Sequence, residues 1–162
     1  METLIILFGV FASALLIIKL TTKRFEISQA GRIAMAAMLV FTAIGHFAFA
    51  KGMAMMISFL PSPITIVYIT GIIELVAAAG LLIPKTTSLT GKLLIIFFIM
   101  LLPANIYAAC HNINLQTADY RGKGISYLWF RIPLQLLFIL WVYYFSIKNQ
   151  IVNQRNAHCL NK

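Results

Sequence analysis

The sequence predicts an all-α fold, a polytopic membrane helix bundle with five transmembrane helices. The first observation is composition: 61% of the residues are hydrophobic and 10% are charged, whereas soluble domains are about half apolar and about a quarter charged. The second is that the apolar residues fall into five runs, each close to the roughly 20 residues that cross a hydrocarbon core of about 30 Å. The third is the lack of short alternating strands, which leaves helices as the way to satisfy backbone groups in lipid.

Each predicted helix is bounded by charged or turn residues, and the connections between them are short. In chain order the runs are Leu4–Leu20, Gly31–Ala50, Pro63–Ile83, Leu93–Cys110 and Ile125–Ile147. The connections leave no room for a soluble domain. We therefore divide the chain into an N-terminal helix with a basic loop (1–30), a four-helix bundle (31–147) and a basic tail (148–162).

The positive charges predict an N-terminus outside and a C-terminus in the cytoplasm, because Lys and Arg accumulate in short cytoplasmic loops. In this orientation nine basic residues lie on the cytoplasmic side: Lys19, Lys23, Arg24, Arg32, Lys85, Lys92, Lys148, Arg155 and Lys162. The outer loops hold Lys51, Arg121 and Lys123, and Arg131 lies within the fifth helix. The bilayer therefore accounts for the net charge of +9, and no nucleic-acid partner is predicted.

The sequence carries no motif of an enzyme that we can assign. It lacks a Cys-x-x-Cys pair, a phosphate-binding glycine loop and the common hydrolase and metalloprotease motifs. Its two cysteines, Cys110 and Cys159, fall on opposite sides of the membrane in the predicted topology and cannot pair within one chain. We expect a protein that is not an enzyme on its own.

Polar residues within the predicted spans are the candidate site, because an ionisable group in the membrane costs several kcal/mol unless it is partnered inside the protein. They are His46, Glu74, Asn105, Arg131 and Gln135. Counted from the outer helix ends at 1.5 Å per residue, His46, Asn105 and Arg131 lie roughly 6 to 9 Å deep and Glu74 about 16 Å deep. A long Arg131 side chain can span this offset, so we expect Glu74 and Arg131 to pair with their charges about 4 to 6 Å apart.

Helical spacing predicts which faces point inward. Around Glu74, the positions three and four residues away are small: Thr70, Gly71, Ala77 and Ala78, a face that lets a neighbouring helix approach closely. In the fourth helix, Pro103 lacks an N–H and should leave a carbonyl near residue 99 without its usual partner.

Each candidate also has a structural interpretation. Glu74 and Arg131 can be a structural ion pair, Asn105 and Gln135 can form interhelical hydrogen bonds, and His46 can be a neutral core histidine. A haem held by His46 and His111 is disfavoured, because their depths match only if the fourth helix extends past Cys110. No metal site is predicted.

Four motifs carry a resemblance to a known family. "AIGHF" at 43–47, "YITGIIELVAAAGLLIP" at 68–84, "LLPANIYAA" at 101–109 and "WFRIPLQLLFILW" at 129–141 resemble the DoxX-like family of small bacterial integral membrane proteins. The resemblance implies a four-helix bundle over about 31–147, with the first helix as an addition. Members are linked by name to a quinone-coupled thiosulfate-oxidising complex, and relatives act as redox-associated proteins or assembly factors.

The leading hypothesis is a redox-accessory protein of the bacterial cytoplasmic membrane that binds a quinone or a lipid headgroup in an outer-leaflet pocket. Arg131 and His46 would donate hydrogen bonds, Glu74 would hold Arg131 or take up a proton, and Asn105 would fix orientation. The alternative is an assembly or interaction factor with a membrane-protein or redox partner, whose polar cluster is purely structural. A third hypothesis is a small proton-coupled transporter, for which the inner halves of the helices offer no ionisable path.

Overall fold

The computed structural model describes residues 2–22 and 26–148, and every regular element in these ranges is helical. The helices are α1 (Glu2–Thr22), α2 (Ile27–Ala48), α3 (Ala50–Met56), α4 (Pro63–Leu82), α5 (Thr87–Cys110) and α6 (Ile125–Val142), and α6 continues as a π-helical segment, Tyr143–Lys148. The predicted all-α fold class is confirmed. The basic residues predicted at 23, 24, 155 and 162 lie outside the described residues, as does Cys159.

Within these described ranges, five helices are long and apolar enough to cross a membrane. They cover Thr3–Thr21, Ile27–Ala48, Pro63–Leu82, Thr87–Cys110 and Ile125–Lys148. The five predicted spans are thus found in the predicted order, and the protein is a membrane protein. The fourth helix begins six residues earlier than predicted, because the apolar criterion stopped at the charge of Lys92, which lies exposed within the first two turns of α5.

The short helix α3 is a departure from the predicted loop. It contains Ala and Met, which are good helix formers, and its buried face packs against α4, where Ala50, Ala54 and Val67 form one apolar cluster. Together with residues 111–124, α3 covers one end of the bundle, which we call the loop end. Gly52 of α3 lies directly against the backbone of Leu115, so the two segments pack without a side chain between them.

The opposite end, called the π end, is closed by the π-helical segment and the connection at residues 83–86. Trp141 donates a hydrogen bond from Nε1 to the carbonyl of Gly31 at 3.0 Å. The ring of Phe145 occupies the space where a side chain at Gly31 would lie, and Ser146 packs beside Gly91 of α5. Glycines at both contacts allow the end of α6 to fit between α2 and α5.

The helix α1 packs along α2 and also touches the second half of α6. The rings of Phe8 and Phe11 meet Trp141 edge-on, with centroids 5.7 and 5.0 Å away. Leu7 is fully buried in the main core with residues of α2, α4, α5 and α6. The N-terminal helix is therefore an integral part of the bundle.

Candidate functional site

The closest contact between ionisable groups in the bundle joins α2 to α4. His46 Nδ1 lies 3.3 Å from Glu74 Oε2, and the two side chains are 12% and 4% exposed. The small face predicted around Glu74 is buried, including Gly71, Ala77 and Ala78. A Cβ placed on Gly71 would lie 3.0 Å from the Cβ of His46, so the glycine allows the close approach that brings the two groups together.

His46 and Glu74 lie at the same depth because the end of α2 packs beside the second and third turns of α4 and not beside its first turn. The ring of Phe47 stacks on Tyr68 with centroids 5.8 Å apart, and Gly71 lies against His46. The end of α2 is therefore level with the second and third turns of α4. Depths counted from the helix ends had separated the two residues by about 10 Å, and α3, which continues from α2 beside the start of α4, accounts for the offset.

One carboxylate oxygen of Glu74 has no hydrogen-bond donor among the described residues. Although His46 Nδ1 is within ion-pair distance, it lies closer to the carbonyl of Thr42, at 3.0 Å, in hydrogen-bonding geometry. A single N–H on Nδ1 points at one acceptor, and the geometry assigns it to Thr42. A buried polar group without a hydrogen bond costs free energy. A further hydrogen-bond donor at the Oε2 atom of Glu74 would therefore stabilise this cluster.

The predicted pairing of Glu74 with Arg131, with about 4 to 6 Å between the charges, stays a prediction. In the described part of the chain no ion pair within 4.0 Å joins them, and Glu74 faces His46 instead. The guanidinium of Arg131 lies over the ring of Tyr127, one turn earlier in α6, with Cζ 5.8 Å from the ring centroid. Arg131 is half-buried and close enough to His46 to interact electrostatically. Among the described residues, no ion pair within 4.0 Å lets it neutralise the Glu74 carboxylate.

Asn105 and Gln135 form a second group, which links α5 to α6. Both are buried, and Asn105 donates from Nδ2 to Gln135 Oε1 at 3.3 Å. Gln135 in turn donates from Nε2 to the carbonyl of Phe98. Phe98 is one residue before Ile99, the position where Pro103 withholds the usual N–H. Gln135 therefore reaches the stretch of α5 where the proline was predicted to weaken the backbone hydrogen bonding.

The five sequence-predicted residues thus divide into two groups. His46 and Glu74 meet, with Arg131 nearby, while Asn105 and Gln135 bond to each other. Two groups that the sequence reasoning missed complete the arrangement: the Thr42 carbonyl, and the hydroxyl of Tyr127, which is buried and without a hydrogen-bond partner among the described residues. The spacing of Tyr127 four residues before Arg131 was the available signal for the latter.

Two open depressions of the surface lie along α6. One of about 600 Å³ is lined by Pro133 to Phe145, and one of about 170 Å³ is lined by residues of α6 together with Leu4 of α1. None of the five predicted site residues lines either of them.

His111 lies at the loop end of the bundle. It is exposed just beyond the end of α5, its ring stacks on Tyr107 with centroids 4.0 Å apart, and Nδ1 is 3.0 Å from the Tyr107 carbonyl. The residues described contain no group of three or more His, Cys, Asp or Glu side chains that could hold a metal ion.

The fold and its polar interior define a polytopic helical membrane protein. A family model described as "Domain of unknown function (DUF8561)" matches residues 35–146, and the chain belongs to this family. The matched residues begin within α2 and end in the π-helical segment, so they contain all five candidate site residues and leave α1 outside. No curated protein and no solved structure matches the chain.

Proposed function

We propose that this protein is a DoxX-like, redox-accessory membrane protein that binds a small amphipathic ligand. In this proposal the polar head of the ligand, a quinone ring or a lipid headgroup, lies at His46, Glu74 and Arg131 while its apolar part remains among the lipid tails. Three of the four sequence motifs that resemble the DoxX-like family contain these residues, and the resemblance supports the redox-accessory role.

The observation that carries the proposal is the unpartnered Oε2 atom of Glu74. Glu74 is 3% exposed, and a buried carboxylate oxygen without a donor has a strong physical reason to accept a hydrogen bond from a ligand. Arg131 supplies the complementary group, since its guanidinium is half-buried and its described contacts are a ring face and a longer-range charge. A head group with an O–H or N–H, which a hydroquinone or a lipid headgroup supplies and an oxidised quinone does not, would donate to Glu74 and accept from Arg131.

Asn105 and Gln135 have a different role in this proposal. Their polar atoms bond to each other and to the Phe98 carbonyl, so they hold α5 against α6. Gln135 is one helical turn from Arg131, and the link therefore fixes the height at which Arg131 meets the cluster. They position the site instead of touching the ligand.

The experiment is mass spectrometry of the small molecules that co-purify with the protein in mild detergent. Arg131→Gln and Glu74→Gln should each lose the bound species, because each removes a charge while roughly keeping side-chain size. Arg121→Gln and Glu26→Gln are matched controls, since both residues are exposed, and they should retain it. Retention of the same species at the same occupancy by the two site variants overturns the proposal.

A second candidate function is that of an assembly or interaction factor, favoured by the Asn105–Gln135–Phe98 link. In that link, the two polar side chains serve to hold α5 and α6 together. This candidate predicts a stoichiometric protein partner after native purification, unaffected by Arg131→Gln, and no bound small molecule. The two candidates thus give opposite results in one purification.

The proposed orientation places the loop end outside and the π end in the cytoplasm of a bacterial cell. The described basic residues support it: Lys19, Arg32, Lys85, Lys92 and Lys148 belong to the helix ends and connections of the π end, and Lys51, Arg121 and Lys123 belong to the loop end. An excess of Lys and Arg on one side is typical of the cytoplasmic side. The cluster would then lie in the outer half of the membrane.

A further inference from the structure

The larger depression along α6 is an open, apolar face of that helix and is about as long as one acyl chain. It extends from Pro133 to Phe145, about 18 Å along a helix axis at 1.5 Å per residue. This matches the roughly 15 Å that one leaflet contributes to a hydrocarbon core of about 30 Å. Its lining includes Leu137, Leu140 and Trp141, all of α6. We call this depression the α6 groove.

The π-helical segment gives one end of the α6 groove a different chemistry. Phe145, Ser146 and Ile147 are directed to α2 and α5, against Gly31 and Gly91. Tyr143 and Tyr144 are 51% and 48% exposed and line the groove. π-Helical turns occur frequently at functional sites, and here the wide turn leaves two adjacent tyrosines exposed near the end of the last membrane-spanning helix.

A positive charge stands at the same end. Lys148 is exposed and its Nζ lies over the Tyr144 ring, 5.2 Å from the centroid. This contact holds the ammonium beside the end of the groove through attraction to the ring face. An open apolar face about one leaflet long, with two tyrosines at its end and Lys148 over one of them, is complementary in length and charge to an anionic phospholipid.

We propose that the α6 groove binds a phospholipid with an anionic headgroup at the π end of the bundle. One acyl chain lies along Leu137 and Leu140, and the headgroup phosphate accepts from Lys148 and from the hydroxyls of Tyr143 and Tyr144. Basic residues at the ends of membrane helices attract anionic lipid with about 1 kcal/mol per Lys, or about fivefold in affinity. This site is separate from the His46–Glu74 cluster and does not depend on the function proposed for it.

The test uses the full chain, delipidated in detergent and titrated with phosphatidylglycerol or with phosphatidylcholine of the same acyl chains, with binding measured by native mass spectrometry. The unaltered protein should prefer phosphatidylglycerol, and Lys148→Gln should lower that preference about fivefold. Lys92→Gln is the matched control, because Lys92 is exposed near the π end on α5, and it should keep the preference. Equal effects of the two changes, or no preference in the unaltered protein, overturn the proposal.

A second pair of variants tests the groove itself. Leu140→Trp should weaken binding of both lipids by filling the groove, whereas Leu93→Trp on α5 should not. The two leucines are 66% and 57% exposed, so both substitutions place a ring on the lipid-facing surface without entering the core. Leu136, which also lines the groove and is 55% exposed, offers the same test should Leu140→Trp fold poorly. Unchanged lipid binding in a folded groove variant contradicts the placement of the acyl chain.

Discussion

His46 Nδ1 lies 3.3 Å from Glu74 Oε2, so among the described residues a histidine of α2, and not the arginine of α6, is within 4.0 Å of the buried carboxylate of α4. Removing one member of a buried pair typically costs about 3 to 5 kcal/mol, whereas replacing both by apolar residues is often neutral. We therefore expect His46→Leu with Glu74→Leu to be more stable than Glu74→Leu with Arg131→Leu. Thermal unfolding in detergent measures the difference.

The comparison is informative because both double variants remove the same carboxylate. His46 makes the close contact with Glu74, while Arg131 contacts the Tyr127 ring. If the Arg131 combination proves the more stable, Arg131 and not His46 is the energetic partner of Glu74. A ligand-binding role predicts, in addition, that the stable His46 combination loses the co-purifying molecule.

The identity of these residues could be predicted from sequence, but their partners could not. His46 and Glu74 stood out because ionisable groups are rare in apolar spans. Their pairing depends on the relative height of α2 and α4, which is set by the seven residues of α3. The connection between α2 and α4 is too short to span the membrane, and its sequence did not show whether it forms a loop or a helix beside α4. The depths of His46 and Glu74, counted from the helix ends, were therefore offset from each other.

For Asn105 and Gln135 too, the residues could be predicted from the sequence but not all of their partners. Asn105 and Gln135 were candidates for interhelical hydrogen bonds, and Gln135 reaches α5 one residue before Ile99, the carbonyl that Pro103 leaves without its usual N–H. The bond from Gln135 goes to the carbonyl of Phe98, 37 residues away in the chain. Such a contact follows from the rotation of α6 against α5, and helical periodicity within one element does not determine that rotation.

Gln135→Leu should destabilise the protein more than Asn105→Leu. Loss of Gln135 leaves both the Asn105 amide and the Phe98 carbonyl without this partner, while loss of Asn105 removes one bond. Interhelical hydrogen bonds in membranes average about 0.6 kcal/mol and reach about 1.7 kcal/mol, so the expected difference is about 1 kcal/mol. Thermal unfolding of the two variants side by side measures it, and the reverse order contradicts the link described here.

Gly52→Ala should loosen the cap at the loop end. A Cβ at Gly52 would overlap the Leu115 carbonyl, a backbone group that cannot rotate away as a flexible side chain can. Overpacking of this kind typically costs about 1 to 3 kcal/mol. Gly9→Ala on α1 is the matched control, since nothing lies within 4 Å of the added Cβ, and it should gain up to about 1 kcal/mol from helix propensity. Similar melting temperatures for the two variants would show that α3 and residues 111–124 do not pack as described.

A thiol reagent that cannot cross membranes should label Cys110 in intact bacterial cells. Cys110 is exposed at the end of α5, and this end is proposed to be outside because the basic residues of the helix ends and connections gather at the other end of the bundle. Cys110→Ser is the control, because it leaves Cys159 as the remaining thiol, in the tail that follows the π end. That variant should be labelled after the cells are permeabilised and not before. Labelling of Cys110→Ser in intact cells, with protection of Cys110 in a Cys159→Ser variant, would reverse the orientation and move the His46–Glu74 cluster to the cytoplasmic half of the membrane.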